Sequence, residues 1–307
     1  MTRSGRGEAV MVPPAEPRSY YGRPVIKPPV WKPEIPWYLF LGGLAGASAP
    51  LAWVADMTGN RRLGRNAGVI CLAAGTVSPV LLITDLGVPA RFFNMMRVFK
   101  VTSPMNIGSW ILAATGTTAA VATAHEALGL FHRSGRVARG LSALFGLPLA
   151  TYTAALLSNT AVPAWHEARR ELPFVFAGGA GACAGAAAAI VTPPAEAAPA
   201  RRLAVLGVIA EGASMLLLEH RLGELAEPYR EGEAATYSKL ARGLSATGAA
   251  VMLTRGRRRS GAALGGALIL AGSVCRRWSV FKAGFASAKD PRYTVGPQRA
   301  RISDGGS

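Results

Sequence analysis

Asp85 closes an apolar run and is followed by Gly87, Pro89, Arg91 and Phe92. A carboxylate can hand on a proton, and a guanidinium nearby can fix its position and charge. Tyr152, near the end of another apolar run, and Tyr293, beyond the last one, carry hydroxyls able to hydrogen-bond a carbonyl oxygen. Together these groups could bind and protonate a polar headgroup at one membrane face. An ordinary helix-end ion pair between Asp85 and Arg91, with interfacial aromatics beside it, satisfies the same spacing. Glu211 stands alone in the middle of another apolar run. An ionised carboxylate there costs at least about 2.5 kcal/mol on insertion scales. It reads either as a proton-conducting step or as a protonated acid bonded to a neighbouring helix.

Other reactive residue types are placed less suggestively. His125, His132, His166 and His220 fall at or outside the ends of the apolar runs. Haem b needs histidines facing each other within a bundle, so no haem is expected. Cys71, Cys183 and Cys275 are isolated, with no C-x-x-C pair. No iron–sulfur or zinc site is expected from this chain itself, and the cysteines read as packing residues.

The elements that must position these groups are apolar blocks. Half of the 307 residues are hydrophobic and 17% are charged, against about 25% charged in soluble domains. Mean hydropathy is +0.26. The blocks are roughly 15–25 residues long, the length that crosses a hydrocarbon core of about 30 Å. Eight are expected, at about 37–54, 67–84, 107–123, 141–162, 172–191, 203–218, 240–254 and 262–274, the last two short and weak. The fold class is therefore all-α: a polytopic transmembrane bundle, as two halves like four-helix bundles. Trp37 and Tyr38 open the first block as an interfacial pair. The fifth, rich in Gly and Ala (GGAGACAGAAAA), is expected to pack closely against its neighbours.

Residues 1–36 hold eight prolines and read as an extended strap. No cleavable signal peptide is visible there, so the first span is expected to act as an uncleaved insertion signal. Residues 37–275 form the membrane domain, and 276–307 a C-terminal tail on the partner-facing side. The net charge of +17 comes from short clusters between blocks, such as Arg61/Arg62/Arg65, Arg133/Arg136/Arg139 and Arg255/Arg257/Arg258/Arg259. That placement sets topology and meets lipid headgroups rather than nucleic acid. The basic linkers favour their own side as cytoplasmic, with both termini extracytoplasmic and the protein in the inner (plasma) membrane. Lys27, Lys32, Arg276, Arg277 and Lys282, on the opposite side, pull against that orientation. The linker 219–239, with five glutamates, reads as a solvated acidic loop.

The most specific runs are DLGVPARFFNMMRVFKVTSPMNIGSW (85–110), WYLFLGGLAGA (37–47), Tyr152-Thr153 with Pro163-x-Trp165, and SVFKAGFASAKDPRYTVGPQR (279–299). They resemble the NrfD family, the membrane subunits of polysulfide reductase and its relatives. The likeness covers about residues 31–300 and is sharpest where acid–Pro–Arg–Phe precedes Ser-Pro-Met and Gly-Ser-Trp. Spans five to seven match only in hydropathy and placement.

The resemblance implies a quinone-reactive subunit without haem. Its partners would be a four-cluster ferredoxin-like iron–sulfur subunit and, beyond it, a molybdopterin catalytic subunit. It implies a quinone pocket, with menaquinone the expected quinone, at Trp37, Tyr38, Asp85, Arg91 and Tyr152. Asp85 and Glu211 would transfer protons, and Pro104, Trp165, Asp290, Arg292 and Tyr293 would face the partner. Some family members place His where this chain has Tyr38, whose phenol, with a pKa near 10, is the poorer proton carrier. Two other classes compete. A secondary transporter or proton channel using Glu211 and Asp85 should show internal repeats with broken helices, and no repeat is evident. A purely structural anchor would have no need of an acid–Arg pair beside aromatic hydroxyls.

Overall fold

The structure, a computed structural model, describes residues 24–86, 88, 90–129 and 132–303; the side chains of 132, 133 and 298–303 are not described. Most of the proline-rich strap expected at 1–36, together with Gly87, Pro89 and the Gln298 and Arg299 side chains, lies outside those residues. The described chain is helical with no strands.

Eight helices reach spanning length: α1 (Glu34–Met57), α2 (Arg61–Asp85), α4 (Pro104–Leu128), α5 (His132–Ser158), α7 (Leu172–Val191), α8 (Ala198–Leu222), α10 (Gly232–Arg255) and α11 (Arg259–Lys289). Between them lie the short helices α3 (Arg91–Arg97), α6 (Pro163–Glu167) and α9 (Glu227–Arg230), and α12 (Arg292–Ser303) follows α11. Among the described residues six helices are also apolar enough to cross a membrane: α1, α2, α4, α5, α7 and the stretch beginning with α8. The chain is thus a multi-pass membrane protein. The weak seventh and eighth blocks correspond to α10 and α11, which are long enough but too polar to qualify.

Neighbours in sequence pack as hairpins: α1 with α2, α4 with α5, α7 with α8, and α10 with α11. The first two hairpins form one group and the last two another, joined where α1 and α5 meet α7 and where α11 meets α1. The expected close packing of the fifth span is present. A Cβ on Gly185 would stand 2.3 Å from the Ala204 nitrogen, and one on Gly207 would stand 2.2 Å from that of Ala182. Only glycine allows the α7 and α8 backbones to approach so closely, which matters where no hydrophobic effect separates helix from lipid. The same device joins the two hairpins of the first group, since a Cβ on Gly46 of α1 would meet the Ala150 nitrogen of α5 at 2.6 Å.

Three expectations change. The Arg276-Arg277 pair was expected to end the membrane domain, yet α11 continues unbroken to Lys289, with both side chains buried at 2% and 1% exposure. Hydropathy reads two adjacent arginines as a helix end; here helices α7, α8 and α10 supply partners for them. The acidic linker 219–239 is only partly solvated, with Glu224, Glu231 and Glu233 exposed. Glu219 is buried and pairs with Arg242 and Arg230, while Glu227 accepts from Tyr293 Oη at 2.7 Å and pairs with Arg292. Trp37 and Tyr38 are not an interfacial pair either, because Trp37 is exposed whereas Tyr38 lies in the core at 1% exposure.

Candidate functional site

The strongest candidate site lies at one end of the first helix group, where α1 begins, α2 ends, α4 begins and α5 ends. At about 1.5 Å per residue, Tyr38 and Gly108 lie about 6 Å inside their helix ends, and Tyr152 about 9 Å. Antiparallel hairpins therefore bring Tyr38, Asp85 and Tyr152 to the same end of the group, Asp85 at the helix end and the two tyrosines one to two turns further in, although they are far apart in sequence. Tyr38 belongs to the apolar cluster that includes Leu82, Leu112 and Leu149, and Tyr152 packs against that cluster.

Each element is built for this placement. Ser103 caps α4, accepting from the Asn106 nitrogen at 3.4 Å, and Pro104 follows in the first turn, where its missing N–H is not needed. Asn106 holds the preceding loop, donating to the Met95 carbonyl at 2.6 Å and accepting from the Lys100 nitrogen at 2.7 Å. Trp110 Nε1 donates to the Val98 carbonyl at 3.3 Å, with Phe99 edge-on to its ring. Gly108 receives the Tyr152 ring, and a Cβ there would stand 2.0 Å from Tyr152 Cε2. The Ser-Pro-Met and Gly-Ser-Trp runs thus set the position of one candidate side chain.

Asp85 accepts a hydrogen bond from the Lys32 backbone nitrogen at 2.9 Å. Among the described residues it has no ion pair with Arg91, which lies exposed on α3. The expected acid–Arg pair is absent because Arg91 sits on a separate short helix, while the strap reaches Asp85 first. The same strap stacks Trp31 on Trp165, with ring centroids 5.3 Å apart. Residues 24–33 therefore tie the end of α2 to the second helix group.

Trp165, expected to face a partner, is instead wholly buried. Its Nε1 donates to the Val280 carbonyl at 2.7 Å, and its ring lies over Gly284, where a Cβ would stand 1.9 Å from Cε2. The Ala164 nitrogen donates to Ser287 Oγ, and Tyr229 Oη donates to the Ala164 carbonyl. The Pro-x-Trp and Lys-Ala-Gly motifs are thus two halves of one internal joint. Pro104 and Asp290 are half-buried and Arg292 is exposed, whereas Tyr293 is largely buried against its own chain. Asp290 accepts from the Arg292 nitrogen and side chain, which starts α12, and Glu227 holds the Tyr293 hydroxyl. Burial pushes the Tyr293 phenol above its ordinary range, and that hydrogen bond adds to the effect. Two clefts of about 620 and 1070 Å³ open beside Tyr293 and Arg292.

A second polar centre, visible to sequence reading only as Glu211, lies inside the second helix group. Glu211 is 3% exposed and its Oε1 has no hydrogen-bond partner. Arg276 and Arg277 lie within electrostatic reach. Arg277 Nη2 donates to the Phe176 carbonyl at 3.2 Å, its guanidinium lies 3.9 Å from the Phe176 ring centroid, and its Nε and Nη1 are unpaired. Arg276 Nη1 donates to Ser238 Oγ at 3.2 Å. Gly179 makes room for both charges: its Cβ would stand 2.6 Å from Glu211 Oε1 and 3.1 Å from Arg277 Nη2. A cavity of about 250 Å³ between α8, α10 and α11 is lined by Glu211, Arg276, Arg242 and Ser245.

No group of metal-ligating side chains occurs among the described residues. The cysteines are unpaired; Cys71 and Cys183 are buried.

An all-helical, multi-pass bundle with a polar cluster at one end defines a membrane subunit rather than a soluble catalyst. The family model for polysulphide reductase, NrfD, matches residues 25–216, and the chain belongs to this family. The match takes in the strap from Val25 onward, the first helix group, α7 and most of α8, and stops before α10 and α11. Family membership makes the chain a membrane subunit of the respiratory oxidoreductase class, whose members generally accompany iron–sulfur and molybdopterin subunits. No curated protein matches the sequence.

Proposed function

We propose that this chain is the quinone-reactive membrane subunit of such a complex, exchanging electrons with a four-cluster ferredoxin-like subunit that serves a molybdopterin subunit. The observation that supports the reading is the placement of Tyr38, Asp85 and Tyr152 at the same end of the first helix group, within two turns of the helix ends. Neither tyrosine hydroxyl donates a hydrogen bond to a described residue, so each keeps its proton for a ligand carbonyl. The donor set suits a quinone headgroup: two phenols to grip its oxygens and a carboxylate at the membrane boundary to exchange protons with water.

A quinone, menaquinone in this reading, supplies two-electron, two-proton chemistry when bound. The chain's residues do the rest. Tyr38 and Tyr152 orient the ring, and the apolar cluster beneath them excludes water. Asp85, held by the Lys32 nitrogen instead of by Arg91, moves protons between headgroup and solvent. Arg91 makes no ion pair with the carboxylate among the described residues, and Trp37 is exposed; both leave the proposed binding set. Electrons come from the partner subunit, because no metal ligands cluster among the described residues.

Glu211 is assigned a proton-transfer step in the second helix group. A buried carboxylate with an unpartnered oxygen, beside a largely apolar cavity that Arg242 and Arg276 also line, favours that role over a static hydrogen bond. The partner-facing surface is reassigned to Pro104 and the Asp290–Arg292 corner, without Trp165.

The test is quinol oxidation or quinone reduction by the purified complex carrying Asp85→Asn or Tyr152→Phe. Loss of a positioned proton carrier or donor is expected to lower turnover by about 100-fold. Unchanged turnover in a complex that assembles normally overturns the pocket.

A further inference from the structure

On the face opposite the candidate quinone site, α1 ends, α2 begins, α4 ends and α5 begins. A cleft of about 570 Å³ opens there, lined by Trp53, Asp56, Arg61, Arg65, His125, Glu126, Arg136 and Arg139 among others. At its base is a buried charge triad. Arg139, 6% exposed, places Nε 3.1 Å from Asp56 Oδ2 and Nη2 2.5 Å from Glu126 Oε2. The triad joins α1, α4 and α5, and α2 accommodates it at Gly68, where a Cβ would stand 2.1 Å from Arg139 Nη1. Both carboxylates of the cleft are thereby committed to the buried guanidinium.

Three further arginines are left at the mouth. Arg61, Arg65 and Arg136 are exposed, and none has an ion pair among the described residues. Their neighbour Arg62 is different, being turned to the opposite loop and paired with Glu196 at 3.4 Å. The triad's one spare negative charge offsets only part of these three cations, so the cleft keeps a net positive charge. Such a site draws an anion, and its position decides which kind. It lies where spanning helices end, at headgroup depth, and its α1 side is apolar: Trp53 and Met57, which line it, are 39% and 68% exposed, and Val54 next to Trp53 is 50% exposed. A soluble anion has no use for that apolar side, whereas acyl chains descending from a phosphate do. Basic pockets between membrane helices hold anionic headgroups by this combination.

We propose that this cleft is a binding site for an anionic phospholipid. Its phosphodiester is held by Arg65 and Arg136, with Arg61 alongside, and its acyl chains run down past Trp53, Val54 and Met57. The bound lipid would stitch α2 to α5 at the end of the bundle away from the quinone site.

The full chain, purified in mild detergent, is offered phosphatidylglycerol and phosphatidylcholine with matched acyl chains, and retained lipid is counted by native mass spectrometry. Preferential retention of phosphatidylglycerol is expected. The Arg65→Gln/Arg136→Gln double variant should reduce that preference by about 30-fold, from roughly 1 kcal/mol for each cation near an anionic lipid surface. Arg62→Gln should leave it unchanged. Arg65→Lys/Arg136→Lys should keep most of it, which separates loss of charge from loss of folding. Equal retention of the two lipids, or a double Gln variant that binds like the wild type, overturns the proposal. So does displacement of the lipid by excess inorganic phosphate, which would make the site one for a soluble anion.

Discussion

Glu211→Gln measures whether the buried acid in α8 is the counter-charge of Arg276 and Arg277. Both arginines are at least 98% buried; Arg277 has two unpaired nitrogens and Arg276 one. With Glu211 ionised, two guanidiniums share one carboxylate, the Phe176 carbonyl and Ser238 Oγ. Replacing the carboxylate with an amide of the same shape leaves Arg277 without a carboxylate and Arg276 with only Glu219 in reach. Removing one partner of a buried ion pair costs about 3–5 kcal/mol. For a chain of this size that corresponds to a fall in unfolding temperature of about 6–20 °C. The assay is thermal unfolding of the full chain in detergent, followed by thiol-reactive dye uptake at the buried Cys71 and Cys183. Arg277→Met in the same background should recover part of the loss, so the double variant is more stable than the two single losses predict. A fall of less than about 2 °C for Glu211→Gln, on the same conversion, refutes the reasoning: an amide is a close copy of a protonated acid, and the result would mean that Glu211 is held neutral.

Two further changes probe the joints of the fold. Gly284→Ala drives a methyl group into the Trp165 ring and should cost about 1–3 kcal/mol, read as a lower unfolding temperature. Gly108→Ala does the same to Tyr152 at the candidate site. Because that ring is proposed to orient the quinone, turnover should fall about 10–100-fold with assembly intact.

The membrane class and the hairpin order were legible from block length alone, since a spanning helix must be long and apolar whatever packs against it. The close α7–α8 contact was legible for a similar reason: only a Gly/Ala surface permits it. What sequence reading missed were charges whose partners lie on other helices. Arg276 and Arg277 read as a helix end because hydropathy is blind to Glu211, Phe176 and Ser238. Arg139 read as a topology signal, although Asp56 and Glu126 bury it. Trp165 read as a surface aromatic, because nothing local announces that Gly284 leaves a slot for its ring. Asp85 and Arg91 looked paired through proximity in sequence, and the turn into α3 separates them. Tyr38 was found as a site residue only through a family resemblance, as no local pattern distinguishes a ligand-gripping phenol from a packed one.

Photolabelling of the purified complex with an azidoquinone, followed by peptide mapping, tests the quinone assignment most directly. Label is expected on the peptides carrying Tyr38, Asp85 and Tyr152, and should be competed away by excess unmodified quinone. Competable label confined to α8, α10 and α11, or none on this chain, would contradict it.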